Sequence, residues 1–279
     1  MASFEDGIRD LLNASGRNFS ERREDGVTVF SEDGRSFSVF AVPVSARTPE
    51  GAMERMLAVR RMADAVSDSV VIAEDRWLCG GAVTRARLNA RIGLCDRVFA
   101  RNCEVRRIDG AVAGKFLEGN HAYGDAACRY RYGLFVRNES GGGERRPGRG
   151  TLVAVAGFSN ARRLHVGGDT VASYEWIRYA SLPWMRVAGG MGKLLNAFVR
   201  DVRPDDVMSY ADLEWSDGEA YRRLGFVAEG DRAPVLFAVD PHTYRRTAAG
   251  KSGGVELPDG CLFFMNMGSR KYRLRTSGR

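Results

Sequence analysis

The sequence predicts a mixed α/β fold of the α+β kind, a twisted mixed sheet with flanking helices preceded by a smaller α/β unit. Three observations carry that prediction. Apolar runs of strand length, such as SVVIA and TLVAVAGFS, recur along the 279 residues. Between them lie stretches whose apolar side chains return every three or four positions, the period of a half-buried helix. Neither an internal repeat nor a heptad pattern is present, which excludes a solenoid and a coiled coil.

Residues 1 to 26 are polar and charged and read as a weakly packed lead-in. VTVFSEDGRSFSVFAVPV follows as two strands about a Glu-Asp-Gly turn, a hairpin signal. A helix is predicted from Pro49, because Met56, Val59, Ala63 and Val66 make one face apolar. SVVIAED reads as a buried strand and WLCGGAVTRARLNARIG as a basic helical stretch, so that residues 27 to about 100 form a small α/β unit. A new unit begins with the strand NCEVRRID, which runs into the helix GAVAGKFLEGNH. GLFVRN and TLVAVAGFS are strands joined by ESGGGERRPGRG, whose glycine and charge density predicts an exposed, mobile loop. YEWIRYASLP is a strand stopped by Pro183. GGMGKLLNAFVRDV is the clearest helix, with Met191, Leu194, Leu195, Phe198 and Val202 along one side.

SYADLEWSDGEAYRRLGF reads strand, turn, helix, strand. Ser216 and Glu219 have the spacing of a capping box, and Gly225 is placed to end the helix before a strand at Phe226. VLFAVD is the next strand, and GCLFFMNMGSRKYRL is one more apolar strand with a basic end. The predicted division is 1–100 for a small α/β unit, 101–246 for the main domain and 247–279 for a basic extension.

A formal net charge of +7 favours a polyanionic partner, since basic surface attracts phosphate and releases counterions. Residues 247–279 hold six Lys or Arg against two acids, so four of those seven charges lie there. Five cysteines, widely spaced and without a CxxC, exclude a disulfide framework and a zinc knuckle. Three histidines argue against a His-rich metal centre. No apolar stretch nears the roughly 20 residues that span a bilayer, and MASFEDGIRDLL has no basic-then-apolar leader, so a soluble, cytoplasmic protein is expected.

Two stretches carry chemistry. Gly189, Gly190 and Gly192 open an apolar helix directly after a strand, and bare amides at such a start suit a phosphate or pyrophosphate; a flexible turn is the alternative. The pattern is neither GxGxxG nor a Walker loop. Asp212 ends an apolar strand, where α/β sheets place ligands.

This helix start, the strand after it and the short helix bearing AYRRLGF together resemble the GNAT acyltransferase fold. The resemblance implies that Val187, Gly189, Gly190, Met191, Gly192 and Lys193 surround the pyrophosphate of acetyl-CoA or a related acyl-CoA, with Val187 standing where the family has Gln or Arg. It places Tyr221 where many of these enzymes hold the general acid for the departing thiolate. A narrower set, NHAYG, YEWIRYAS, the Gly-rich helix and SYAD, looks like the Mom family of phage DNA-modification proteins. It is also similar to the C-terminal domain of phage homing-endonuclease-like proteins, through IAEDRW, ARNCEV, FLEGNH and FFMNMGSRKY. These likenesses cover roughly residues 68 to 274. They imply His121 and Tyr123 at the substrate mouth, Arg178 on the fourth strand, Asp212 after the fifth and Tyr221 on the following helix. Glu175 and Arg178 differ by an odd number, so on a regular strand only one can join the pocket, and Arg178 is preferred.

In the nuclease-linked relatives the N-terminal part is a restriction-type fold with a metal held by acids and a Lys. Here no acid precedes a Glu-x-Lys pair, although Asp33, Glu74 and Asp75 remain nearby, so lost cleavage and no metal are expected. The leading expectation is a transferase that modifies a base in DNA with an acyl-CoA-type donor, the exocyclic amine being the acceptor. Trp176, Trp184, Tyr210 and Trp215 would stack an extruded base. A non-catalytic DNA-binding protein of a phage or mobile element is the second expectation. An ordinary small-molecule or protein N-acetyltransferase is the third.

Overall fold

The computed structural model describes residues 3–35, 37–137, 146–166, 168–249, 257 and 259–276. Along the chain come α1 (Phe4–Ala14), β1 (Phe19–Glu24), β2 (Val27–Glu32), β3 (Phe37–Val42), α2 (Pro49–Asp64), β4 (Asp68–Ala73), α3 (Glu74–Leu78) and α4 (Gly81–Ile92). Next are β5 (Asp96–Phe99), a 3-10 turn (Ala100–Asn102), β6 (Cys103–Arg107), α5 (Gly110–Asn120), β7 (Tyr130–Val136), β8 (Leu152–Phe158), β9 (Arg162–Val166) and β10 (Asp169–Ser181). Then follow β11 (Met185–Ala188), α6 (Gly190–Val202), β12 (Asp206–Asp212), α7 (Glu219–Arg223), β13 (Val227–Arg232), β14 (Leu236–Val239), β15 (Arg246–Ala248), β16 (Leu262–Met265) and β17 (Ser269–Arg275). The fold is mixed α/β, as the alternation of apolar runs and three-four periods predicts, and none of its four sheets closes into a barrel among the described residues.

The chain forms two compact units. The first comprises Met1–Arg85, Tyr210–Glu219 and Gly230–Arg270; the second comprises Ala86–Ser209, Ala220–Glu229 and Lys271–Arg279.

In the first unit β1, β2, β3 and β4 form a sheet in that order. The β2–β3 hairpin is antiparallel, and β3 pairs in parallel with β4 after the α2 crossover. Every residue of β3 is buried, which is why FSVFAV is apolar on both faces with one serine. Val29, Phe40, Val59, Val71, Val239, Phe264 and Met267 share one core, so the late strands β14 and β16 pack with the early ones. The N-terminal segment is not a loose lead-in. Ser3 and Asp6 close a reciprocal capping box, and Phe4, Ile8 and Leu12 lie buried along one side of α1. Their spacing of four hides in a stretch whose average composition is polar.

The predicted basic helix from Trp77 is two helices, broken at Cys79 and Gly80. The apolar run near the C-terminus is likewise two strands. Gly268 sits at φ +77°, and a Cβ there would fall 2.3 Å from the Arg232 carbonyl oxygen, so the chain turns sharply between β16 and β17.

The second unit is built on a sheet of order β13-β17-β12-β10-β8-β7-β6, with β9 pairing to the early half of β10. Strands β6 to β8 and β10 are antiparallel, whereas β10 and β12 are parallel. Both faces are covered. Val155 of β8 packs with Ala113, Phe116 and Leu117 of α5. Phe158, three positions on and therefore on the other face, stacks against Phe198 of α6 at 4.0 Å between ring centres. Strand β10 begins at Asp169, earlier than the sequence indicates, and the short parallel pair β5–β11 was not foreseen. Residues 138–145, which include the first seven of the loop ESGGGERRPGRG, lie outside the described residues.

Candidate functional site

In the second unit, α6 starts at a residue only glycine suits. Gly189 is its N-cap, at φ 77° in the left-handed region, and no side chain caps the first turn. A Cβ on Gly190 would lie 2.9 Å from both the Tyr179 hydroxyl and Val187 Cγ1, so this glycine lets the helix start press against β10 and β11. Gly189 and Gly192 line a cavity at this helix start, where uncapped amides suit a phosphate. Two neighbours are committed elsewhere. Val187 is a buried strand residue paired with Val98, and the Lys193 ammonium donates to the Ala100 carbonyl at 2.8 Å and to the Cys103 carbonyl. Met191 is partly buried at the second helical position.

The same unit opens between β10 and β12. Their ladder runs from Ser173 opposite Asp206 to Glu175 opposite Met208 and stops. At the next step the Ser209 hydroxyl takes the place of the backbone, donating to the Trp176 carbonyl at 2.9 Å. The Tyr221 hydroxyl lies 2.8 Å from Ser209 Oγ. Burial raises the Tyr221 pKa, opposed in part by the Ser209 hydrogen bond. Its ring stacks on Tyr272 at 5.5 Å and meets Trp176 edge-on at 6.2 Å, while Trp176 meets Tyr179 edge-on at 6.1 Å. Trp176 and Tyr179 thus join the helix start at Gly190 to the phenol of Tyr221. Trp176 itself is 3% exposed and stacked on Phe158, so it is a core residue and offers no open ring face to a base.

His121, Tyr123 and Arg178 come together at the end of α5. The Tyr123 amide donates to His121 Nδ1 at 3.1 Å, which leaves the proton of the neutral ring on Nε2. Burial first, then the charges of Arg178 and Arg87, push the His121 pKa down to about 4. At neutral pH it is an uncharged hydrogen-bond donor rather than a base. The Tyr123 side chain is 48% exposed. Arg178 Nε donates to the Gly124 carbonyl at 3.0 Å and Nη1 to the Ile177 carbonyl at 3.1 Å.

Arg178 also corrects an expectation. Strand β10 is bulged against β8, with Trp176 opposite Phe158 and Arg178 opposite the adjacent Gly157. One extra residue reverses the alternation, so Glu175 and Arg178 are not held on opposite faces. Both act electrostatically on the buried Cys128.

Asp212 belongs to the first unit. Its backbone carbonyl accepts from the Trp215 and Ser216 amides at 2.9 and 3.0 Å, and its Oδ1 from the Glu214 amide at 3.1 Å, so the carboxylate closes a turn. The expected Ser216–Glu219 capping box does not form: Ser216 Oγ accepts from Gly218, and Asp217 takes the Glu219 amide. The helix is only the single turn of α7, because the chain has spent Ser216 on the preceding turn.

The residue that sequence reasoning missed is Glu214. It is 4% exposed, Oε1 has no hydrogen-bond partner among the described residues, and burial followed by the charge of Asp212 pushes its pKa up to about 7. Arg246 and Arg76 act in the opposite direction. Arg246 forms a buried bidentate pair with Asp75 and lies over the Phe237 and Phe264 rings, at 5.2 and 4.2 Å. Asp75 is therefore neutralised by a guanidinium. Glu74 instead accepts the Val44 amide at 2.9 Å. Among the described residues no cluster of three or more His, Cys, Asp or Glu is arranged to hold a metal ion. A Glu flanked by Leu213 and Trp215 was the one available signal, since a charged residue between two large apolar ones is often carried inside.

A cavity of about 900 Å³ in the second unit flanks α6 on the side of β6 and the 3-10 turn. Arg101, Arg137, Lys193 and Arg200 line it with Glu104 as the one described acid. Comparison of the chain with protein-family models and with curated proteins gives no match.

Proposed function

We propose that the protein is a DNA base-modifying transferase of GNAT-like fold, with an acyl-CoA-type donor and the exocyclic amine of a base as acceptor. One observation carries the reading. The parallel ladder between β10 and β12 ends after Glu175 and Met208, beside a bulge in β10, and the Tyr221 phenol and the Gly190 helix start stand on either side of Trp176 and Tyr179 at that point. Splayed parallel strands and bulges are where α/β sheets receive ligands and re-aim side chains. An uncapped glycine helix start whose Cβ positions are closed fits a pyrophosphate.

When bound, the donor supplies a thioester whose sulfur is a good leaving group. The chain's own groups would do the rest. The α6 amides would bind phosphate at the helix start, beside the cavity that Ala188, Gly189, Gly192 and Lys193 line. Tyr221, already oriented by Ser209, holds the proton that a departing thiolate takes. Neutral His121 offers Nε2–H, and Arg178 offers positive charge to developing oxyanion character.

A second reading, a DNA-binding protein without catalysis, is favoured by Val187 and Lys193. Both are occupied in packing and hydrogen bonding where the family pattern has groups for the donor. Mass spectrometry of nucleosides from cells expressing the protein separates the two. A modified base that disappears in the Tyr221→Phe variant supports the transferase. Unmodified DNA together with salt-dependent DNA binding and no thermal response to acetyl-CoA supports the second reading.

A further inference from the structure

The hairpin formed by β9 and β10 outruns the sheet that carries it. Strand β7 stops pairing at Tyr130, opposite Phe158, and β12 starts at Asp206, opposite Ser173. Beyond those points, among the described residues, β9 and β10 pair with each other alone, from Arg162 opposite Ser173 to Val166 opposite Asp169. The pairs past Ser173 make a two-stranded ribbon that projects about 13 Å at the usual rise per residue. Arg162, Arg163, Leu164 and His165 are all exposed although successive side chains point to opposite faces, so neither face of β9 lies on a core. A bare hairpin is marginal by itself, and this one is anchored at its root. The Asp205 carboxylate accepts from the Ala172 amide at 2.7 Å, and the Ser173 hydroxyl donates to Asp206 at 2.6 Å.

The charge of the ribbon is unspent. Exposed arginines such as Arg22, Arg106 and Arg200 are paired with Glu24, Glu104 and Asp201. Arg162 and Arg163 form no ion pair among the described residues, and as neighbours on a strand they leave from opposite faces, across from the small residues Ser173 and Ala172. Arg129, whose amide bonds the Phe158 carbonyl, and Arg203, two residues before Asp205, add exposed positive charge at the root. Asp169 is the one described acid on the arm. A partner that presents phosphate on both sides of a slot fits this shape. The major groove of duplex DNA is about 12 Å wide, admits a two-stranded β-ribbon and is rimmed by phosphates on both sides. We infer that the β9–β10 ribbon enters the major groove of duplex DNA, with Arg162 and Arg163 on the phosphates of opposite rims. The root at Ser173 is three residues along β10 from Trp176 and six from Tyr179, about 10 and 20 Å. The arm is therefore separate from the donor site at the α6 start, and the contact of Trp176 with Tyr221 lies between the two. The inference rests on the DNA partner of the proposed function, names the surface that holds the duplex, and applies to the non-catalytic reading as well.

The test is fluorescence anisotropy of a short labelled DNA duplex with the whole protein at several salt concentrations, with unlabelled single strand as competitor. Arg162→Gln/Arg163→Gln is compared with the parent, with the charge-keeping Arg162→Lys/Arg163→Lys, and with Arg9→Gln/Arg22→Gln, which removes the same charge from another surface. Matching melting curves show that all are folded. The first variant should bind the duplex about tenfold more weakly or worse, with a salt slope lower by roughly 1.8, about 0.9 for each lost phosphate contact. The Lys variant should keep the parent's slope and stay within about threefold of its affinity, because an ammonium still neutralises a phosphate. Equal duplex binding by the parent and Arg162→Gln/Arg163→Gln overturns the inference. An equal loss in Arg9→Gln/Arg22→Gln overturns it too, since net charge would then explain the binding. Single strand that competes as well as unlabelled duplex also overturns it, because a groove would not be what the arm reads. Absence of duplex binding by the parent overturns it as well, while modified nucleosides in cells would leave the transferase standing. Unmodified nucleosides together with arm-dependent duplex binding remove the transferase and support the inference.

Discussion

A carboxyl as deeply buried as that of Glu214 binds its proton more tightly in the folded protein than in the unfolded chain. Its pKa is raised from 4.5 to about 7, so the stability it contributes is complete below about pH 4.5 and is lost as the pH rises through about 7. His121, lowered from 6.5 to about 4, works in the other direction: its contribution is present above 6.5 and lost as the pH falls through 4. The two oppose each other between about pH 4.5 and 6.5, so the parent alone is a poor reporter. Denaturation midpoints of the parent and of Glu214→Gln across pH 5 to 8 should therefore be compared as a difference, with the variant gaining relative to the parent as the pH rises; a constant difference would mean that Glu214 is ionised throughout. Tyr221 is the other residue whose surroundings set its behaviour. Tyr221→Phe keeps the stacking on Tyr272 and deletes one hydrogen bond, which should cost about 1 kcal/mol in urea unfolding. If the phenol is the general acid, the same variant should lower product formation on the order of a hundredfold, well beyond what that stability change explains. Neither environment is visible in the sequence. AYRRLGF shows that a Tyr precedes a Gly-Phe turn, but Ser209, twelve residues earlier, is what holds the hydroxyl.

Elements with a strong period were legible and weakly patterned ones were not. Helix α6 was read directly because Leu194, Leu195 and Phe198 recur on one side, and in the fold they are buried under that side. Helix α1 carries an equally clear signal, a capping box with apolar residues four apart, yet average polarity masks it. Strands β5, β9 and β11 have no alternation long enough to detect. Strand β9 is Arg-rich, with Arg162 to His165 exposed, and β5 and β11 are four residues each and pair as strands with one another. The bulge in β10 was out of reach for another reason: it is defined by the partner strand, which opposes one residue where β10 offers two. The glycine start of α6 was found but its purpose was open between cradle and turn. Packing now separates the glycines. Gly190→Ala should destabilise the protein by about 1–3 kcal/mol, read from the melting midpoint, because its Cβ would press on Tyr179 and Val187 within 2.9 Å. If Gly190→Ala melts with the parent, the close approach of α6 to β10 is not as described.

A division by composition is contiguous along the chain, whereas each compact unit here gathers three separate stretches. The first unit draws Val239, Phe264 and Met267 into one core with Val29 and Phe40, and it supplies Asp75 with its only buried guanidinium among the described residues from Arg246. A fragment of residues 1–100 lacks Val239, Phe264, Met267 and Arg246. It should be unfolded or molten, with weak dispersion in its amide NMR spectrum, since losing one partner of a buried ion pair costs about 3–5 kcal/mol even before the missing core is counted. A well-dispersed spectrum would show that the early strands fold by themselves. What the sequence alone determined was the class of fold, most helices and strands, and the residues able to carry chemistry, because period, turn residues and side-chain type are local properties. The tertiary structure decided which of those residues are spent on structure. Asp212 closes a turn, Lys193 is held by two carbonyls, Trp176 is core, and Glu214 is buried with Oε1 unpartnered among the described residues, because burial and hydrogen-bond partners come from segments far apart in the chain.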